Sequence, residues 1–336
     1  MEAGASAYRV LLVGEEFRRP SRGLFDGVVL APAGPVCDFS AALESVQRQY
    51  PDVMLVDLTA REALQVITKV MTERPVPILA LHPGVLSGGE AFQALAAGAL
   101  DVVDRPTEPG PEFWQTVGRK LMLLAEVRVS RNTLIHPQRK VRPSQGDAPY
   151  PLVAIASSLG GPKALAGVLR TLPKDFPAPI CICQHISNGF TEGLAQWLGA
   201  ESMLRVVEAS DGAEMVPGTV YIAPSGTHLL VRPKGRLSLD PSPPVRGFRP
   251  SCDLLLASAA EAFSTRALGV ILTGMGRDGA RGLKEIRERG GRTLAQDQAT
   301  CAVYGMPREA VRLGAAEEVL PLDQIGPTLI QWVQSC

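Results

Sequence analysis

The stretch VAIASSLGGPKAL, residues 153–165, decides the fold of this 336-residue chain. VAIAS is apolar without alternation, the pattern of a strand covered on both faces of a parallel sheet. Gly160 and Gly161 then interrupt it, and Pro162 suits the first turn of a helix. A strand, a glycine turn and a helix in that order form one unit of an α/β sheet, whose strand ends present residues to a ligand. ICICQHISNGF (180–190) and VILTGMGRDGARGL (270–283) repeat the plan. The three units set Ser158, His185 and Asp278 just past their apolar runs. A hydroxyl becomes a competent nucleophile when a neutral imidazole takes its proton, and a carboxylate fixes the tautomer of that imidazole.

Around these units lies a second α/β pattern, expected to span 150–336. Strands are expected at PLVAIAS, APICICQ, LGVILT and GRTLAQ, and helices at about 162–172, 190–198, 251–263, 280–290 and 323–334. GTVYIAPSGTHLLVRPKGRLSLD (218–240) alternates like antiparallel strands, so a hairpin is expected on an otherwise parallel, doubly wound core. Residues 1–130 alternate as well. YRVLLV, DGVVLA, VMLVDL, PILAL and LDVVD are separated by FSAALESVQRQY, REALQVITKVM and GGEAFQALAAG, and a last helical stretch runs from about 111 to 129. That reads as a (βα)5 parallel sheet. Residues 131–149 lose periodicity and gain proline and basic residues, as a linker does.

Composition excludes several classes. Lys plus Arg and Asp plus Glu number 34 each, which removes the electrostatic case for general nucleic-acid binding. The start MEAGASAYRV has no basic region followed by a long apolar run, and no later window is long enough to span a bilayer. A cytoplasmic protein without membrane insertion is expected. Cys37, Cys181, Cys183, Cys252, Cys301 and Cys336 form no CxxC pair and lack metal-ligand spacing, so reduced thiols and no metal are expected.

Each candidate has a plainer alternative. Ser157 or Ser158 would serve as a helix cap, Asp278 would cap the helix it opens, and a lone strand-end histidine is often structural. Gly160 and Gly161 lack side chains that would keep backbone amides from a substrate carbonyl. Gly274, Gly276 and Gly279 also spell GxGxxG between a strand and a helix, with Asp297 further on, so dinucleotide binding is a competing reading. Asp278 opposes it, because it brings negative charge to the terminus a pyrophosphate would occupy. Arg246, Arg249 and Arg277 read as solvated surface charges or as contacts for carboxylates on a substrate. Trp197 and Met203 read as packing.

Together SSLGGPKAL, QHISNGFTEGLAQWL, EASDGAEMVPGTVYIAPSGTHL, RPSCDLLLASAA, GVILTGMGRDGARGL and TLAQDQATCAVYGMPREAVRLGAA resemble the catalytic domain of the CheB-type chemotaxis receptor methylesterases, over about 152–322. The resemblance implies hydrolysis of glutamyl methyl esters on the cytoplasmic helices of methyl-accepting receptors, and deamidation of receptor glutamines. It implies Ser158 as nucleophile, His185 as general base, Asp278 as orienting acid and the Met275 amide at the oxyanion, with no cofactor. Leu159 stands where the family usually has Thr. Residues 1–130 resemble a response-regulator receiver, the target of a signalling histidine kinase. Gly14 and Glu15 align with its acidic Mg²⁺ pair, Asp57 with its phospho-acceptor, His82 with its hydroxyl residue and Arg105 with its Lys. So few carboxylates make a poor Mg²⁺ site, and a pseudo-receiver is expected. A non-catalytic signalling scaffold is the further alternative.

Overall fold

The computed structural model describes residues 8–14, 17, 28–30, 39–60, 62–83, 89–126 and 150–335. The expected linker 131–149, with Glu15, Cys37, His136 and Cys336, lies outside the described residues. The chain divides into two compact units, Met1–Val129 and Ser130–Cys336.

The first unit contains β1 (Tyr8–Val13), β2 (Val28–Leu30), α1 (Phe39–Gln49), β3 (Val53–Asp57), α2 (Ala63–Glu73), β4 (Ile78–Pro83), α3 (Gly89–Ala97), β5 (Asp101–Arg105) and α4 (Pro111–Ala125). Its strands pair in parallel in the order β2-β1-β3-β4-β5, the flavodoxin-like winding. VMLVD of β3 is buried throughout, because helices cover both faces of such a sheet. Each helix buries one stripe at helical spacing, such as Val66, Ile67 and Val70 of α2 and Val117, Leu121 and Leu124 of α4.

The second unit contains β6 (Leu152–Ser157), α5 (Gly161–Leu169), β7 (Ile180–Gln184), α6 (Thr191–Glu201), β8 (Arg205–Glu208), β9 (Thr219–Ile222), β10 (His228–Arg232), β11 (Arg236–Asp240), α7 (Cys252–Phe263), β12 (Ala267–Ile271), α8 (Ala280–Glu288), β13 (Arg292–Gln296), α9 (Met306–Arg312), β14 (Glu318–Leu320) and α10 (Leu322–Ser335). Its main sheet runs β14-β13-β12-β6-β7-β9-β8, with every pair parallel. From β6 the chain winds outward through β7, then returns to β12 on the other side of β6. The winding reverses there, between the carboxyl ends of β6 and β12, the place where open α/β sheets bind their ligands.

The antiparallel hairpin β10–β11 pairs apart from the main sheet, against α7. TVYI, expected to be part of the alternating region, is instead the parallel strand β9, and its full burial explains the difference. β8, α9 and β14 are additions to the expected elements. All three are short, and RVVE of β8 is an edge strand with exposed ends. It carries no apolar run to announce it.

Candidate active site

Register along the sheet brings the three quoted units together. Ser157 of β6 pairs with Gln184 of β7, and Ala156 pairs with Ile271 of β12. One residue further on, the His185 N–H donates to the Ser157 carbonyl (3.1 Å) and the Ser158 N–H to the Thr273 carbonyl (3.1 Å). Ser158, His185 and the turn 273–279 therefore leave adjacent strands at the switch point.

Neither serine caps α5. Its N-cap is Gly160, at φ +73°, and a Cβ there would lie 2.6 Å from the Ala302 methyl. Ser157 Oγ donates to Gln184 Oε1 (2.7 Å), and Gln184 Nε2 donates to the carbonyls of Ser158 (2.8 Å) and His185 (2.7 Å). The buried Gln184 thus fastens both strand ends, and Ser158 itself is only partly buried. Gly161 departs from its expected oxyanion role: its N–H is spent on the Ser158 carbonyl at 2.8 Å. It is glycine for another reason, since a Cβ there would run into Gln184 Oε1. A Cβ on Gly274 would come within 2.8 Å of Ser158 Cβ, so the 273–276 turn packs directly on the serine. Met275 follows in that turn, 37% exposed.

The imidazole and the carboxylate are joined. His185 Nε2 lies 2.9 Å from Asp278 Oδ2, and both side chains are largely buried. Asp278 also accepts from the N–H groups of Cys252 (2.7 Å) and Asp253 (3.0 Å) and from the Ser251 hydroxyl (3.0 Å). It therefore caps α7, the neighbouring helix, whose positive terminus favours the charged carboxylate. α8, the helix it was expected to cap, is served by Asp253, whose Oδ1 accepts from Gly279 (2.9 Å), Arg281 (3.0 Å) and Gly282 (3.0 Å). Two carboxylates thus cap each other's helices, and a crossed pair of this kind fixes the site acid from both sides. The same bonds answer the dinucleotide reading, because Asp253 holds amides a pyrophosphate would need. Asp297 serves its own turn, accepting from the Thr300 N–H (2.9 Å) and hydroxyl (2.6 Å).

Phe248 stacks on the His185 ring, with centroids 4.2 Å apart and planes 5° from parallel. Arg246, two residues before it, reaches Asp253 Oδ2 at 3.2 Å. Arg249 gives its guanidinium to the carbonyls of Pro241 (3.2 Å) and Ser242 (3.3 Å) and so ties down its own loop. Arg277 and Met203 are exposed, and Trp197 is half-buried. Burial works to neutralise the Asp278 carboxyl, but the hydrogen bonds from His185 and the α7 amides outweigh it and hold the carboxyl below the usual carboxylate range. Burial also opposes charge on His185. The neighbouring Cys252 and Asp278 outweigh it there, so the ring keeps its proton above the ordinary imidazole range.

In the first unit Asp57 is fully buried. Its Oδ1 accepts from the Thr59 N–H (2.9 Å) and hydroxyl (2.7 Å), and its Oδ2 lies 3.4 Å from Arg105 Nη2. A Cβ on Gly14 would stand 2.8 Å from Asp57 Cβ. His82 Nδ1 lies 3.1 Å from Asp104 Oδ1. No described helix is long and apolar enough to cross a membrane.

Sequence reading missed Gln184, Phe248 and Asp253. Asp253 sits in RPSCDLLLASAA as an acidic residue in a first helical turn, a placement with an ordinary explanation; the α8 amides it caps lie 26 to 29 residues away.

The family model described as CheB methylesterase matches residues 153–329. The chain is 65% identical over 333 residues to the protein-glutamate methylesterase FrzG of Myxococcus xanthus, covering 98% of this chain and 100% of that one. It is 46% identical over 300 residues to a protein-glutamate methylesterase/protein-glutamine glutaminase of Anaeromyxobacter dehalogenans, covering 87% of this chain and 86% of that one. Among solved structures, the Thermotoga maritima CheB methylesterase catalytic domain aligns with a TM-score of 0.54 at 42% identity, covering 56% of this chain and 100% of that one.

Proposed function

The chain belongs to the CheB methylesterase family, and from that premise we propose that it hydrolyses glutamyl methyl esters on methyl-accepting receptors through Ser158, His185 and Asp278. The observation that carries this reading is the His185–Asp278 hydrogen bond at the reversal of the sheet, one strand from Ser158. With Asp278 on Nε2, the neutral ring keeps its proton on that nitrogen and offers the Nδ1 lone pair as base. His185 Nδ1 is buried and meets no partner among the described residues.

Nδ1 takes the Ser158 hydroxyl proton as Oγ attacks the ester carbonyl. The N–H groups of Met275 and Gly160 receive the oxyanion, each good donor contributing about 3 kcal/mol. Imidazolium returns the proton to the leaving methoxide, and methanol departs. Water, deprotonated by the same nitrogen, then releases the glutamate carboxylate from Ser158. With a glutamine substrate the leaving group is ammonia, and the later steps are the same. Arg277, exposed beside the site acid, is placed to meet carboxylates on the receptor helix. Arg249 acts through its loop.

The first unit acts as a pseudo-receiver. The Arg105 guanidinium stands against Asp57 as its cation, and Gly14 leaves one position of the Mg²⁺ pair without a carboxylate. Control of the hydrolase then does not run through phosphate on Asp57. With Mg²⁺ and beryllofluoride or acetyl phosphate, Asp57 is expected to stay unmodified and methanol release unchanged; acyl-phosphate at Asp57 would overturn this.

The catalytic reading is tested with receptor carrying labelled methyl esters. Wild type releases labelled methanol, and Ser158→Ala releases none while its unfolding midpoint stays near that of wild type. Full release by that variant contradicts the assignment, and a folded wild type that releases none favours the scaffold alternative.

A further inference from the structure

Two thiols stand against the imidazole of the active site, and the proposed hydrolysis uses neither. Cys183 lies two residues before His185 in β7, and Cys252 opens α7; both are fully buried. One Sγ from each and a ring nitrogen of His185 lie within 4.8 Å of one another. Cys252 Sγ is 3.5 Å from His185 Nε2. A tetrahedral zinc with bonds of about 2.3 Å to sulfur and about 2.0 Å to nitrogen holds those two ligands about 3.5 Å apart, so this pair already has the needed separation.

We infer that Cys183, Cys252 and His185 form an inhibitory site for a thiophilic divalent cation of the zinc and cadmium class, which stops hydrolysis by drawing His185 Nε2 away from Asp278. The site shares His185 with the proposed hydrolysis, and it rests on that reading only for its effect on activity.

Charge balance favours such an ion in this buried place. Each thiol gives one proton to solvent and keeps the electron pair that binds the metal, and the ring moves its single proton from Nε2 to Nδ1 to free the ligating lone pair, so two thiolates cancel the dication and neutral imidazole adds nothing. A site without net charge avoids most of the cost of burying an ion. Asp278 does not become an orphan when the ring leaves it, because the Cys252 and Asp253 amides and the Ser251 hydroxyl still donate to it. Soft sulfur ligands discriminate against Mg²⁺ and Ca²⁺, which take oxygen. Cys181 provides an internal comparison. It lies on the same strand and is equally buried, but its Sγ faces the Met215 thioether at 3.4 Å.

The test uses the reduced full-length chain titrated with Cd²⁺, following the ultraviolet thiolate-to-metal charge-transfer band, with methanol release measured in parallel at matched Cd²⁺ and Zn²⁺. Wild type is expected to show a saturable band, to lose hydrolysis as the band saturates and to regain it with a chelator. Cys183→Ala is expected to keep its basal hydrolysis, lose that part of the band and need about 100-fold more metal for the same inhibition, whereas Cys181→Ala behaves as wild type. A wild-type chain without a saturable band overturns the inference, as does equal metal sensitivity in Cys183→Ala. Normal hydrolysis at a saturated band also overturns it and leaves the hydrolase reading standing. A Cys183-dependent band in a chain that never releases methanol sinks the hydrolase reading and the inhibitory half of the inference, and leaves the binding half established.

Discussion

Replacing Asp278 with Asn separates the two tasks of the carboxylate. Its oxygens accept four hydrogen bonds: Oδ2 from His185 Nε2 and the Cys252 N–H, and Oδ1 from the Ser251 hydroxyl and the Asp253 N–H. An amide keeps one acceptor oxygen and presents an NH₂ group to the other pair. Whichever way it turns, one α7 backbone N–H faces a donor, and a buried donor left unmatched costs about 1–3 kcal/mol. If the NH₂ faces His185, the ring must offer Nε2 as acceptor and carry its proton on Nδ1, the wrong tautomer for a base toward Ser158. The rate is then expected to fall by about four orders of magnitude, equivalent to about 5 kcal/mol of transition-state stabilisation. Methanol release and urea unfolding, measured on the same preparations, read the two losses independently. The residual activity also reports on charge. His185 loses the carboxylate that raises its proton affinity, so the ascending limb of its pH–rate profile moves down toward the ordinary imidazole value of about 6.5. A variant less than about tenfold slower than wild type, with its pH limb unmoved, refutes the assignment of Asp278 as the orienting acid.

In the wild-type chain kcat/KM is expected to rise with pH along a limb lying above 6.5, because His185 must be neutral to act and its partners hold its proton more strongly than a free imidazole does; a limb at or below 6.5 contradicts the pairing. Gly161→Ala drives a methyl into Gln184 Oε1 and is expected to cost about 1–3 kcal/mol of stability together with most of the activity. Wild-type activity in that variant removes Gln184 as the fastener of the two strand ends. Asp253→Ala strips three α8 amides of their acceptor and is expected to lower stability by about 1–2 kcal/mol. It should also slow turnover without changing KM, since Asp253 touches Asp278's backbone surroundings and not the substrate; an unchanged kcat assigns it to stability alone.

The parts of the site that the sequence made legible are those whose partners follow from strand order. Ser158 and His185 each follow a buried strand and Asp278 lies in the turn beyond β12; parallel strands in a doubly wound sheet bring such positions to one edge, where His185 and Asp278 meet. Contacts made across helix ends were opaque. Asp278 read as a cap for the helix it opens, but the carboxylate turns to α7, because the imidazole and the α7 amides lie on that side. Gly161 read as a site for a free amide, yet its missing side chain makes room for Gln184. Cys183 and Cys252 are 69 residues apart, and only the packing of α7 against β7 makes neighbours of them. In the first unit Arg105, aligned with the receiver Lys, forms an ion pair with Asp57 that the alignment by itself did not announce.

Covalent capture at Ser158 tests the central claim most directly. A fluorophosphonate should label the full-length chain at a single serine, with mass spectrometry of the digest placing the adduct on the peptide containing Ser158. His185→Ala and Asp278→Asn should each slow that labelling by orders of magnitude while remaining folded. An adduct on another serine, or labelling at Ser158 that proceeds equally fast without His185, contradicts the account.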